Sequence, residues 1–88
     1  MNWQVYIILC TDNSLYTGIT NNMERRLSQH GGQQGARYFR GRRPQQLVYL
    51  ESGHTRSTAS KREAAIKKLA RTDKLCLLES GRNEIVGR

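Results

Sequence analysis

At 88 residues the chain is long enough for one domain and too short for two. A domain of that size buries only roughly 60–65% of its unfolded surface, so any site must be an open cleft and not a deep cavity. Fifteen Lys and Arg against seven Asp and Glu leave a net charge of +8, and eleven of the cations are arginines, whose planar fork matches phosphate oxygens, so a polyanion is the expected partner, nucleic acid ahead of an anionic membrane surface.

Residues 3–10, WQVYIILC, are nearly all β-branched, aromatic or apolar, without polar alternation, and predict a central strand covered on both faces. No basic stretch precedes this run, so it does not have the form of a secretory signal, and no segment reaches the ~20 apolar residues of a membrane span. Cys10 and Cys76 lie far apart in apolar stretches and form no CxxC pair. Both are expected to be buried reduced thiols, which places the chain in the cytoplasm. Turn chemistry at Thr11-Asp12-Asn13-Ser14 and a second run, LYTGIT at 15–20, complete a β-hairpin. Its register decides where Tyr6 and Tyr16 go. A three-residue Asp12-Asn13-Ser14 loop puts both phenols on one face, whereas a two-residue Asp12-Asn13 turn puts them on opposite faces.

NNMERRLSQHGG predicts a helix, with Asn21 and Glu24 in a capping-box relation and Gly31-Gly32 as the stop. Helical spacing sets Met23, Leu27 and His30 on one face with Arg26 beside them, and turns Arg25 away. Residues 31–44 form a long loop carrying Arg37, Arg40, Arg42 and Arg43 without an acid, interrupted by Tyr38 and Phe39. Loops of that length inside compact domains tend to be functional or mobile. A third strand is predicted at 45–51, a helix at 57–70 capped by Ser57 or Thr58, a shorter helix at 72–79, and a loose tail from 81. In the long helix Ala59, Ile66, Leu69 and Ala70 form the apolar stripe and Glu63 stands at its border. Lys61, Lys67 and Lys68 spread over the exposed side, while Arg62 falls toward the apolar face, where snorkelling or an ion pair would accommodate it. The fold class is α/β in the α+β sense: a three-stranded, mostly antiparallel sheet with about three helices, in one domain over 1–80 and a tail over 81–88.

Tyr6, Tyr16, Arg26, His30 and Glu63 are the polar groups turned toward the protein body. In order and spacing they resemble the GIY-YIG endonuclease domain, most closely its small stand-alone branch, over residues 3–79. Val5-Tyr6-Ile7 stands for the first triplet's aromatic and Tyr16-Thr17-Gly18 for the second triplet. Arg26 matches the helix arginine, His30 the residue one turn later, and Glu63 the metal-binding acid. Gln4 and Thr17 replace a glycine and an isoleucine of the family pattern, Ile19 stands where some members have lysine, and Lys74-Leu75-Cys76 where many have asparagine.

The resemblance implies metal-dependent hydrolysis of a phosphodiester, with Tyr6, Tyr16, Arg26, His30 and Glu63 as the catalytic set. Glu63 is a hard oxygen ligand suited to one divalent cation, Mg²⁺ or Mn²⁺, and a single carboxylate argues against a two-metal site. Arg26 would hold the scissile phosphate. Tyr6 and His30 both stand as candidate bases: a free phenol titrates near 10, and Arg26 and the metal would lower it, whereas an imidazole titrates near neutrality unaided. Arg37, Arg40, Arg42, Arg43 and Lys67 would contact the nucleic-acid backbone, giving salt-dependent affinity with little sequence preference. Tyr38 and Phe39 would either stack on an unpaired base or pack on the sheet. DNA is favoured over RNA, and neither a membrane nor a small-molecule cofactor is expected. The family departures leave a second reading, a basic nucleic-acid-binding module that has lost turnover. If the nuclease reading holds, Tyr6, Tyr16, Arg26 and Glu63 are expected on one sheet face in one cleft.

Overall fold

The computed structural model describes residues 2–25, 44–81 and 83–85. β1 (Trp3–Cys10), β2 (Leu15–Thr20) and β3 (Pro44–His54) form one antiparallel sheet in the order β2-β1-β3. The first strand in sequence is therefore the central one, and Val5, Tyr6, Ile7 and Ile8 are all buried in succession. That is why this run shows no polar alternation: both of its faces are covered.

The hairpin resolves the register. Tyr6 pairs with Gly18 and Ile8 with Tyr16, so even-numbered residues face even-numbered ones. The loop is Thr11-Asp12-Asn13, one residue earlier than expected: Asn13 N–H donates to the Cys10 carbonyl and Cys10 N–H to Ser14 O. Asn13 takes a positive φ of 69°, the left-handed residue that closes a three-residue hairpin loop. Asp12 Oδ1 accepts from Ser14 N–H at 3.1 Å, which holds the turn from outside.

Helix α1 opens at Met23, and its described residues run to Arg25. Its cap is Asn22, whose Oδ1 accepts from Arg25 N–H at 3.1 Å, and not Asn21. Helix α2 (Arg56–Lys67) begins earlier than predicted, because Thr55 and Thr58 form the reciprocal cap that Ser57 or Thr58 was expected to start. It also ends earlier; Ala70 is exposed and opens α3 (Arg71–Leu78) instead of completing the stripe. β3 extends beyond the predicted strand at both ends.

Two cores lie on opposite faces of the sheet. Val5, Ile7, Tyr49, Ala59 and Ile66 form one, with Trp3, Leu15, Ile19, Val48, Leu77 and Leu78 packed around it. Tyr6, Ile8, Cys10 and Leu50 form the other, joined by Tyr16, Met23, Leu47 and Ile85. Cys10 is buried as expected, but Cys76 is exposed. Residues 83–85, within the segment expected as a loose tail, are docked. Asn83 is buried; its amide donates to the carbonyls of Val48 and Leu78, and its Oδ1 accepts from the amides of Leu50 and Ile85. Glu84 N–H adds a bond to Leu50 O, and its carboxylate accepts from Ser52 N–H and Oγ. These contacts close the outer edge of β3, where unpaired backbone groups would otherwise be exposed.

Candidate nuclease site

Tyr6 and Tyr16 share the second core's face. Their ring centroids are 6.2 Å apart and tilted by 47°, within the range of an attractive aromatic pair. Tyr6 pairs directly with Gly18, and its ring lies across that residue: a Cβ added at position 18 would meet the phenol oxygen at 2.5 Å and Cζ at 2.6 Å. Glycine is required there because no side chain fits beneath the ring. The consequence is positional, since the Tyr6 hydroxyl is carried from the central strand to the edge strand β2.

Glu63 lies on α2, whose buried residues Ala59 and Ile66 pack into the Val5 core. The helix therefore covers the face opposite the two phenols. The expectation of one shared face holds for Tyr6 and Tyr16 and fails for Glu63. The reason is that β1 is covered on both sides, and α2 after β3 packs on the face opposite Met23. The Glu63 side chain is about one quarter exposed (25%), and its Oε2 lies 3.5 Å from Lys67 Nζ, one turn on.

The helical rotation of about 100° per residue places Arg62 and Glu63 roughly 50° to either side of the Ala59–Ile66 stripe. Arg62 Nε donates to Glu51 Oε1 on β3 at 3.2 Å. With the stripe resting on the Val5–Ile7 core, Glu63 lies on the flank of α2 away from the Arg62–Glu51 contact. The Tyr6 hydroxyl reaches the edge strand β2 on one face of the sheet, and α2, which carries Glu63, packs on the other. Any convergence of phenol and carboxylate runs around the edge of β2.

Arg26 and His30, the arginines at 37, 40, 42 and 43, and Tyr38 and Phe39 lie outside the described residues. Lys67, expected to contact nucleic acid, is exposed. Gln4 is half-buried on β1, paired with Thr20. Thr17, at the position of the family's isoleucine, is buried with its hydroxyl unpartnered among the described residues.

A polar cluster on the α2 side went unread in the sequence. Glu51 is buried and accepts from Tyr49 Oη at 2.5 Å and from Arg62, while its other oxygen meets His54 Nε2 at 2.5 Å. His54 Nδ1 lies 3.0 Å from Thr58 Oγ1 on α2. Burial by itself would raise the Glu51 carboxyl; hydrogen bonds from Tyr49 and His54 and the Arg62 charge outweigh it and hold the group below its ordinary range. Tyr49 is pushed up to about 12, by burial first and then by its bond to the Glu51 carboxylate. The signal was there in two separate oddities: a cation on the apolar side of α2, and an acid two places after Tyr49, hence on the same strand face.

Glu63, partly exposed, is a single carboxylate, and the described residues contain no cluster of three or more His, Cys, Asp or Glu. That donor set fits a hard cation held mainly by water and substrate oxygens, as Mg²⁺ prefers, and does not fit a closed protein cage.

The profile of the GIY-YIG catalytic domain matches residues 2–75. The UPF0213 protein DP2720 of Desulfotalea psychrophila is 53% identical over 79 residues, covering 89% of this chain and 72% of that protein. The UPF0213 protein CPE1444 of Clostridium perfringens is 51% identical over 80 residues, covering 91% and 85%. Among solved structures, the solution NMR structure of protein EF2693 from E. faecalis superimposes with a TM-score of 0.64 at 43% identity, covering 90% of this chain and 84% of that one. The NMR structure of the UPF0213 protein BH0048 from Bacillus halodurans gives 0.60 at 36% identity, covering 97% and 90%. With its paired tyrosines, the glycine beneath one of them and this degree of likeness, the chain belongs to the GIY-YIG nuclease-domain family, in its UPF0213 group.

Proposed function

We propose that the protein is an endonuclease that hydrolyses phosphodiester bonds in DNA with little sequence preference, selecting by strand structure. The observation that carries this is Tyr6, paired with the Tyr16 ring and laid over Gly18, which brings a phenol to the edge strand β2. Glu63 would hold a divalent cation, Mg²⁺ or Mn²⁺, whose positive charge would offset the negative charge that develops on the phosphoryl and leaving oxygens. Arg26 binds the scissile phosphate through charge-assisted hydrogen bonds that strengthen as charge accumulates. Tyr6, as its phenolate, takes the proton of the attacking water and becomes the neutral phenol, and Tyr16 orients that ring through the ring contact; His30 is the alternative proton acceptor. Arg37, Arg40, Arg42, Arg43 and Lys67 hold the backbone by phosphate contacts, which position without reading sequence.

Nicking of supercoiled plasmid and cleavage of branched DNA test the reading. The wild-type chain is expected to cut with Mg²⁺ or Mn²⁺, and Glu63→Ala and Arg26→Ala are each expected to lose on the order of a hundredfold or more in rate while still binding DNA. Binding without cleavage in any divalent ion identifies a nucleic-acid-binding module instead.

A further inference from the structure

Helix α2 meets the sheet through little apolar surface. Its buried residues are Ala59 and Ile66, two turns apart, and the alanine offers only a methyl group. Such a contact sets the distance of a helix from a sheet better than its roll about its own axis. Direction comes from polar contacts along one flank. Thr58 and Arg62, one turn apart, meet His54 Nδ1 at 3.0 Å and Glu51 Oε1 at 3.2 Å. Those partners are themselves fixed to β3: Glu51 is buried, and its carboxylate is held by Tyr49 Oη, from a fully buried residue, and by His54 Nε2.

We infer that the Arg62–Glu51 contact, supported by Tyr49, His54 and Thr58, sets the roll of α2 and thereby aims Glu63 at the edge of β2. Arg62 and Glu63 stand on opposite sides of the buried stripe, so a roll that slackens the Arg62 contact also moves the Glu63 carboxylate relative to the sheet. Arg62, Glu51 and Tyr49 are positioning residues: they touch neither the phosphate nor the cation, and they act through the angle of the helix. The inference rests on the nuclease reading for its consequence, and on the packing of α2 for its cause. A misplacement of about 1 Å at a catalytic group can cost a hundredfold in rate, so the expected effects are large for contacts outside the site.

The test uses the full chain with Arg62→Met, which retains the aliphatic stem, Glu51→Gln, which retains the shape of the acceptor, and Arg62→Lys as the conservative variant. Three quantities are read at a temperature where circular dichroism shows each variant folded. Nuclear Overhauser contacts from Glu63 to the Thr17 and Ile19 methyl groups of β2 report the roll. Mn²⁺-induced broadening of amide signals around Glu63 reports cation binding. Cleavage kinetics separate kcat from KM. In Arg62→Met and Glu51→Gln the Overhauser contacts are expected to weaken, the Mn²⁺ midpoint to rise about tenfold, and kcat to fall ten- to a hundredfold with KM within twofold; Arg62→Lys restores most of each. Unchanged contacts in folded Arg62→Met and Glu51→Gln overturn the inference, as does their absence from the wild-type chain. A wild-type chain that shows the contacts and neither binds Mn²⁺ nor cuts overturns the nuclease reading alone and leaves the roll assignment standing on the contacts.

Discussion

Neighbouring residues of β2 carry opposite constraints. Thr17 faces the α2 core with a buried hydroxyl that finds no partner among the described residues, a group whose desolvation costs about 1–3 kcal/mol. Gly18, one step on, must have no side chain at all, because the Tyr6 phenol occupies that space. Gly18→Ala is expected to cost about 1–3 kcal/mol by overpacking and to lower cleavage further than that loss explains, since the phenol itself has to move. Urea unfolding beside cleavage at a temperature where the variant is folded separates the two effects; full activity in the folded variant would remove Tyr6 from the mechanism. The tyrosine pair was legible in the sequence as residue types. Its geometry was not, because parity depended on whether Asn13 would take the left-handed conformation that three-residue loops need.

At the scale of elements, hairpin and helices followed from local patterns, and the boundaries moved where a cap lay outside the apolar period. Thr55 starts α2 because its side chain and that of Thr58 satisfy each other's backbone N–H groups; nothing in the spacing of apolar residues marks it. Residues 83–85 were less legible still. Asn83 satisfies groups on β3, α3 and its own turn, with partners up to 35 positions away, and a hydrogen bond across that separation leaves no local signature. Asn83→Ala strands several buried backbone groups at once and is expected to destabilise the fold by about 3 kcal/mol, from ~1–3 kcal/mol per unsatisfied group. A shift in the urea midpoint without a change in its slope is the expected reading. No shift would show that the segment is only laid against β3 and does not hold it.

For the molecule as a whole, the Tyr49–Glu51–His54–Arg62 cluster sets a pH window for stability. The folded Glu51 carboxyl titrates below its ordinary 4.5, so its contribution is present above that value and is lost as pH falls through the folded pKa. Tyr49 is raised from 10.0 to about 12, so its contribution is complete below pH 10 and disappears between the two values. Urea midpoints across pH should fall at both ends; Glu51→Gln should flatten the acid limb and Tyr49→Phe the alkaline one. An unchanged acid limb in Glu51→Gln would assign acid sensitivity to other carboxylates. The fold class was legible at this scale because a central strand, a hairpin and amphipathic helices each have a local period. The placement of Glu63 was not, because which face α2 covers follows from packing on the Val5–Ile7 side of the sheet and not from the helix's own residues.

The sheet's middle strand alternates its side chains between two compartments, Val5 and Ile7 toward one and Tyr6 and Ile8 toward the other. Replacements along those four consecutive positions should therefore sort by parity. Odd sites disturb the bed on which the acid-bearing helix rests; even sites disturb the phenols themselves. One short stretch of backbone thus gives selection two independent handles, so tuning of the reactive edge and tuning of its scaffold need not interfere.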